Sequence, residues 1–280
     1  MTGETQPVVN SQNSSGSTFR FMGMSWPALL RQTQTIEQVR ADLSCNTRGG
    51  GESRAMKKHE LRVVHRDDVP LGGFAGIVEK QMVVSSKIMP GAANRKDISH
   101  GLGDFIYLSS GHFKPHDGAP LHPHDNMDIV TVVLSGSIAH AGTLGDGTVI
   151  HAPGVQVQRA GTGMRHSEMN PGDSKAEFVQ IWFLPPKEGL PPDYRNITLE
   201  EGKLTTLLGG DCADCFDNKM TCKAGEIPAG GSLDCDQQFV ALIIEGDATA
   251  NGIRATRGDL LEGDRLHIEA ISKLEIILIH

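Results

Sequence analysis

His122-Pro123-His124-Asp125-Asn126-Met127-Asp128-Ile129-Val130-Thr131-Val132-Val133-Leu134-Ser135-Gly136 is the stretch that decides the reading of this chain. It opens with two imidazoles at i and i+2, then runs through an apolar segment, Met127 to Ser135, closed by Gly136. On a β-strand, residues i and i+2 point to the same face, so His122 and His124 share one side. The spacing returns at His166-Ser167-Glu168. Two such strands side by side would aim three imidazoles and one carboxylate at a common point. That donor set suits a divalent first-row transition metal with open coordination positions.

Either pair alone says little. Twelve histidines in 280 residues produce close pairs by chance, and a proline between two of them often marks an ordinary loop. The repeat is what argues for a site. His166 and Glu168 restore the geometry after a hairpin-rich stretch of the length needed to run down and back up a small barrel. No cysteine lies near either pair, which argues against a structural thiolate zinc site. Iron(II) is the metal expected first. Manganese, copper, nickel and zinc stay open, because their ligand sets overlap.

Outward from the pairs, the chain reads as strands. Leu61 to Val64, Ile77 to Ser85, Asp104 to Ser110, Val155 to Arg159 and Glu177 to Leu184 are short runs, most of them flanked by Gly, Pro or Asp. Val155-Gln156-Val157-Gln158 alternates with period two, as a half-buried strand does. Asp146-Gly147 is a hairpin-type turn. Pro185-Pro186, Pro191-Pro192 and Gly209-Gly210 bracket a mostly polar connector. Phe239 to Glu245, Arg254 to Leu261 and Leu274 to His280 are further strands. Gly136 and Gly246 each close an apolar strand, a weak echo that suggests two copies of one β-barrel module. The second copy has no His-x-His, so its site would be lost. With 33 Gly and 14 Pro, the composition favours an all-β protein rich in turns.

The head of the chain differs. Residues 1–24 are polar and aperiodic, and most of them read as a mobile tail. Leu29, Leu30, Ile36, Val39 and Leu43 fall on one helical face after Ser25-Trp26-Pro27, which predicts a helix over 25–44. Glu4, Glu37 and Asp42 weigh against an organelle transit peptide. The expected domains are an N-terminal extension over 1–58, a metal-bearing barrel over 59–190 and a metal-free barrel over 191–280.

A formal charge of −8 argues against direct nucleic-acid or anionic-membrane binding, since both need clustered Lys and Arg. No apolar run reaches the ~18–20 residues that span a bilayer, and a secretory signal is not evident. Five cysteines, an odd number, suit reduced thiols in a cytoplasmic protein.

These residues resemble the cupin superfamily and, within it, the pirin family. Cupins carry a first motif of His-x-His, an acid three or four residues on and then a Gly, here His122, His124, Asp128 and Gly136. The second cupin motif reads, loosely, as Gly147, Pro153, Gly154, His166 and Asn170. Pirins take their carboxylate ligand from a His-x-Glu unit, which His166-Ser167-Glu168 matches. Val155 to Gly163 is similar to the strand and turn before that unit, and the resemblance covers residues 60–280. Where better-known pirins have His-Pro-His-Arg-Gly-Phe-Glu, this chain has Asp125-Asn126-Met127-Asp128 after the His pair.

The resemblance implies two cupin-type jelly-roll β-barrels with a short N-terminal helical extension. It implies a site in which His122, His124, His166 and Glu168 hold Fe(2+), with Glu168 also the catalytic base. Some pirins resemble quercetin 2,3-dioxygenases, which implies a flavonol-type or related aromatic substrate and dioxygen. Others are metal-dependent regulators, which implies a protein partner instead. Asp128 is expected either to orient a ligand imidazole or to be an exposed strand acid.

Other signals read as structural. Cys212-Ala213-Asp214-Cys215, with Cys222 and Cys235, does not form a second Cys-x-x-Cys, so spare thiols are expected, a redox disulfide being the alternative. His112, His116, His140 and His151 read as surface or loop imidazoles. Gly101-Leu102-Gly103 and Gly161-Thr162-Gly163 read as turns, since neither completes a dinucleotide fingerprint.

Overall fold

Alternating side chains on twisted strands determine where each barrel's core lies. In a computed structural model of the protein, the described residues are 61–280, together with the backbone of Arg20–Phe21 paired antiparallel with Met24–Ser25. From Trp26 on, the helix expected over 25–44 lies outside the described residues.

The chain forms two cupin-type jelly-roll barrels, each of two antiparallel sheets. In the first, a seven-stranded sheet runs Asp193–Thr198, Gly154–Arg159, Asp128–Val133, Ala176–Phe183, Phe105–Phe113, Ile77–Val84 and Leu71–Gly72. Facing it, a four-stranded sheet runs Thr148–His151, Ser137–Gly142, Met164–Met169 and Gly118–His124. In the second, a six-stranded sheet runs Leu204–Leu208, Cys222–Ile227, Leu274–Ile279, Phe239–Glu245, Asp259–Gly263 and Arg62–His65. Its partner holds Ser232–Cys235, Leu266–Ala270, Asp247–Ala250 and Ile253–Thr256. The chain crosses between barrels at two places. Arg62–His65 pairs with Asp259–Gly263, and Asp193–Thr198 forms the edge beside Gly154–Arg159.

The two large sheets pack against each other. Val130, Val132, Val179 and Ile181 from one share a buried cluster with Val240, Leu242, Ile277 and Ile279 from the other. Their neighbours turn the opposite way. Phe239, Ala241, Ile243, Ile276 and Leu278 fill the second barrel, and Phe113, Val133 and Phe178 close one end of the first. Strands buried on both faces read as continuous apolar runs, which is how Ile129 to Val133 and Ile276 to Ile279 look. Burying one such Phe or Ile contributes about 1.5–3 kcal/mol, so the shared cluster binds the halves strongly.

Two sequence expectations are corrected here. Gly154–Arg159 is buried along its whole length rather than half-buried, because Gln156 and Gln158 are enclosed as fully as Val155 and Val157. The polar face looks into a polar barrel interior, not into water. The run Arg254 to Leu261 is two strands, Ile253–Thr256 and Asp259–Gly263, split at Gly258, whose φ of +87° suits glycine.

Candidate metal centre

Gly118–His124 and Met164–Met169 are neighbours, and His122 lies directly opposite His166 in the register. Both i, i+2 pairs point inward as their spacing requires. Along Met164–Met169, Met164, His166 and Glu168 are buried, while Arg165 and Met169 are exposed. In Gly118–His124, Leu121 faces solvent while His122 and His124 are buried. A register shift between His166 and Glu168 sets Glu168 opposite Ala119. Gly142 lets the third strand approach: a Cβ there would sit 2.1 Å from the Arg165 carbonyl oxygen and 2.8 Å from His166 Cα.

The structure brings His122, His124 and His166 together as one group of potential metal ligands, each offering a ring nitrogen within 4.8 Å of the others. The His122 and His166 Nε2 atoms are 2.9 Å apart. Glu168 falls in a second group, with His140 and His166. His166 is the shared member. The four expected ligands thus line one wall of the barrel, with His166 between the other imidazoles and the carboxylate.

Hydrogen bonds fix the ring orientations. His122 Nδ1–H donates to the Pro120 carbonyl at 2.7 Å, which leaves Nε2 with its lone pair turned inward. His140 Nε2–H donates to the Leu144 carbonyl at 2.8 Å, so its Nδ1 carries the lone pair. Burial holds all four imidazoles below their ordinary pKa, most strongly for His124 and His166, where the neighbouring imidazoles add to the effect. Neutral imidazole is the form that binds a metal. The donor set therefore fits a divalent transition ion: clustered, neutral, nitrogen-rich and dry.

Glu168 sits in a cage of amides. Gln156 Nε2 donates to its Oε1 and Gln180 Nε2 to its Oε2, each at 3.2 Å. Tyr194 Oη donates to Gln156, and Trp182 Nε1 donates to Gln180. Burial raises the Glu168 pKa to about 7, against the two amides, which lower it. Trp182 stacks on Tyr107 at 4.3 Å between centroids and meets the His124 ring edge-on. Glu79, also buried, accepts from Tyr107 Oη and Gln81 Nε2. Phe74, Glu79, Tyr107, His122, Glu168 and Trp182 surround a cavity of about 10 Å³.

His140 corrects the sequence reading. It is buried and not a loop imidazole, and it stands opposite Glu168 on the adjacent strand. Asp128 is corrected too, since it is neither exposed nor bonded to an imidazole. It is fully buried in a two-point ion pair, Arg159 Nε to Oδ1 and Nη2 to Oδ2, both at 2.8 Å. Asn218 Nδ2 donates to the same carboxylate, and Arg159 reaches the Asp217 carbonyl and lies over the Phe216 ring. Cys212 and Cys215 are joined by a disulfide, not spare thiols, while Cys222 and Cys235 are free and buried. Asn170 serves a turn: its amide donates to the carbonyls of Phe113, Lys114 and Ser174. In the departure after the His pair, Asn126 adopts φ +44°, a left-handed position that asparagine tolerates, and its side chain accepts from Gly189 N.

Known proteins share this architecture. Residues 90–183 match the family model described as Pirin. A pirin-like protein of Caulobacter vibrioides is 31% identical over 181 residues, which is 59% of this chain and 78% of that protein. A protein of Escherichia coli K12 named quercetin 2,3-dioxygenase is 30% identical over 177 residues, 58% of this chain and 75% of that one. Among solved structures, the bacterial pirin YhhW of Escherichia coli in complex with nickel(II) superposes with a TM-score of 0.69 at 21% identity. That match covers 79% of this chain and 98% of YhhW, and it speaks to the fold.

Proposed function

The chain belongs to the pirin family, and from that premise we propose that it is a metal-dependent dioxygenase acting on a flavonol-type, quercetin-like or related aromatic substrate. His122, His124 and His166 would hold the metal, with Glu168 as fourth ligand and as base, and Fe(2+) is the metal of choice. The observation that carries this reading is the 2.9 Å between the Nε2 atoms of His122 and His166. Two ligands about 2.1 Å from one ion and at right angles to each other lie about 3.0 Å apart, so these atoms are spaced as neighbouring ligands.

Bound there, an iron would supply the one-electron chemistry that dioxygen needs. The chain's own residues do the rest. Pro120 and Leu144 fix the tautomers of His122 and His140, and burial raises the pKa of Glu168 to about 7 in the metal-free site, a rise that a bound cation would oppose, leaving the carboxylate free to accept a proton. A substrate hydroxyl gives its proton to Glu168 Oε1 or Oε2, which Gln156 and Gln180 keep in position. Trp182, Tyr107 and Phe74 give the cavity at Glu168 an aromatic wall.

The test is metal analysis of protein purified without a His-tag from iron-replete cells, followed by oxygen uptake with quercetin. Bound metal, with turnover that disappears in His166→Ala, supports the reading. Wild-type protein without metal would sink it. A second reading, a non-catalytic metal-dependent regulator that docks a protein partner, draws on the cavity volume. About 10 Å³ admits one water and not a flavonol. No uptake with any flavonol by iron-loaded protein would favour that alternative.

A further inference from the structure

A cavity larger than the one at the metal centre lies elsewhere among the described residues. A cleft of about 450 Å³ lies between the barrels, on the other face of the seven-stranded sheet. Strand alternation separates the two sites: Gln180 and Trp182 look toward the imidazoles, while Glu177 and Val179 line the cleft. Leu134, Val179, Leu242 and Ile244 supply its apolar lining, Val179 and Leu242 being buried at its base, and His65, Arg66, His112, Glu177 and Arg257 supply polar groups. Such a volume is in the range of small-molecule sites, about 300–1,000 Å³.

Charge pairing around the rim leaves one group over. Asp259 accepts from the Thr256 backbone N–H and pairs with His65. Arg257 pairs with Glu177 and Glu245, and Asp67 pairs with Lys80. The Arg66 guanidinium has no hydrogen bond or ion pair among the described residues, and its Nε is closed off from solvent. The residue is nevertheless firmly placed. Its backbone N–H donates to the Gly258 carbonyl at 3.1 Å, and its own carbonyl accepts from Lys80 Nζ at 2.9 Å. Its stem lies on Gly258, where a Cβ would come within 3.2 Å of Arg66 Cβ. Burial lowers the pKa of His112, the Lys175, Arg66 and Lys114 charges add to that and Glu177 opposes it, so Arg66 acts at this end of the cleft beside an acid that Arg257 already pairs.

We propose that this inter-barrel cleft binds a small organic anion, a carboxylate or phosphate on an apolar body, with Arg66 gripping the oxyanion and the Leu134–Val179–Leu242 lining receiving the body. A guanidinium fork matches two oxygens of either head group, and a half-desolvated donor without a partner gains most from acquiring one. The site is independent of the metal centre.

The test titrates full-length protein with 1-naphthoate, 1-naphthyl phosphate and neutral 1-naphthamide, reading NMR shifts at His112 and Val179. At least one anion should bind about ten-fold more tightly than the amide, and Arg66→Gln should remove that advantage, a change of about 1.4 kcal/mol. The tighter anion identifies the head group. Equal binding of anions and amide, no binding by either anion, or unchanged anion affinity in Arg66→Gln would each overturn the proposal. If Arg66→Gln does not fold, the anion-to-amide ratio on wild-type protein decides.

Discussion

Asp128 and Arg159 offer the sharpest test of how the two halves are joined. Asp128 is fully buried and the Arg159 side chain is only 10% exposed, so water screens their pair weakly. Replacing Arg159 with Met removes both 2.8 Å bonds and leaves the carboxylate with Asn218 as its remaining side-chain partner. Stranding one member of a buried pair costs about 3–5 kcal/mol. The loss of the Arg159 contacts to the Asp217 carbonyl and the Phe216 ring adds to this. With a melting shift of about 2–4 °C per kcal/mol for a chain near this size, Arg159→Met should melt about 6–20 °C lower. The double variant Asp128→Leu with Arg159→Met should recover much of that, because it leaves no orphan charge. Urea unfolding of wild type, both singles and the double gives the coupling directly. A loss below about 1 kcal/mol in Arg159→Met would refute the argument, because an exposed pair is worth only that much. Metal content should not change in Asp128→Asn, since the carboxylate bonds no imidazole.

Further outcomes follow from the same geometry. Adding a divalent transition ion at about 100 times its Kd should stabilise the apoprotein by about 2.7 kcal/mol in a melting experiment, and His122→Ala should abolish that response. Gly142→Ala should reduce metal content measured by elemental analysis, because its Cβ meets the Arg165 carbonyl at 2.1 Å and displaces the His166 strand; full occupancy would contradict this. Glu79→Gln should stabilise the protein at high pH and not at low pH. Burial raises the folded pKa of Glu79 above 4.5, so the folded state binds the extra proton. Stability is therefore lost as pH climbs from 4.5 through the folded pKa, and the amide removes that loss while still accepting from Tyr107. Urea midpoints of both proteins across pH would check it, and a difference that does not vary with pH would count against a buried ionisable group.

The features legible in the sequence were those with a short period. His122/His124 and His166/Glu168 could be read because i and i+2 share a strand face, and the barrel followed from the turns between them. His140 was not legible. Its proximity to Glu168 comes from cross-strand register, Glu168↔His140, which no local spacing encodes. The only trace was the Asp146-Gly147 turn, which folds Thr148 back onto His140 and so fixes which strand lies beside Met164–Met169. Asp128 was misjudged for a related reason. Its partner Arg159 lies 31 residues away and opposite it in the register, and Asn218 belongs to the other half of the chain.

The polar barrel interior accounts for both kinds of error. Gln156 and Gln180 alternate with apolar residues, and that alternation ordinarily places the polar face in solvent. Here the other face already packs against the second barrel, through Val155, Val157, Val179 and Ile181. A strand covered on one side by a neighbouring barrel and on the other by its own has no wet face. Polar residues there look for partners inside, as the amides of Gln156 and Gln180 find Glu168, while the Gln158 amide is buried without a hydrogen bond. Buried amides and imidazoles on strands whose opposite faces are apolar are therefore the sequence sign of an internal site. Read that way, Gln156 points to the same site as the two histidine pairs, through its bond to Glu168. If it does, Gln180→Leu should alter the pH profile of any activity by freeing Glu168 Oε2 from its donor. An unchanged profile would mean that Gln180 serves packing alone.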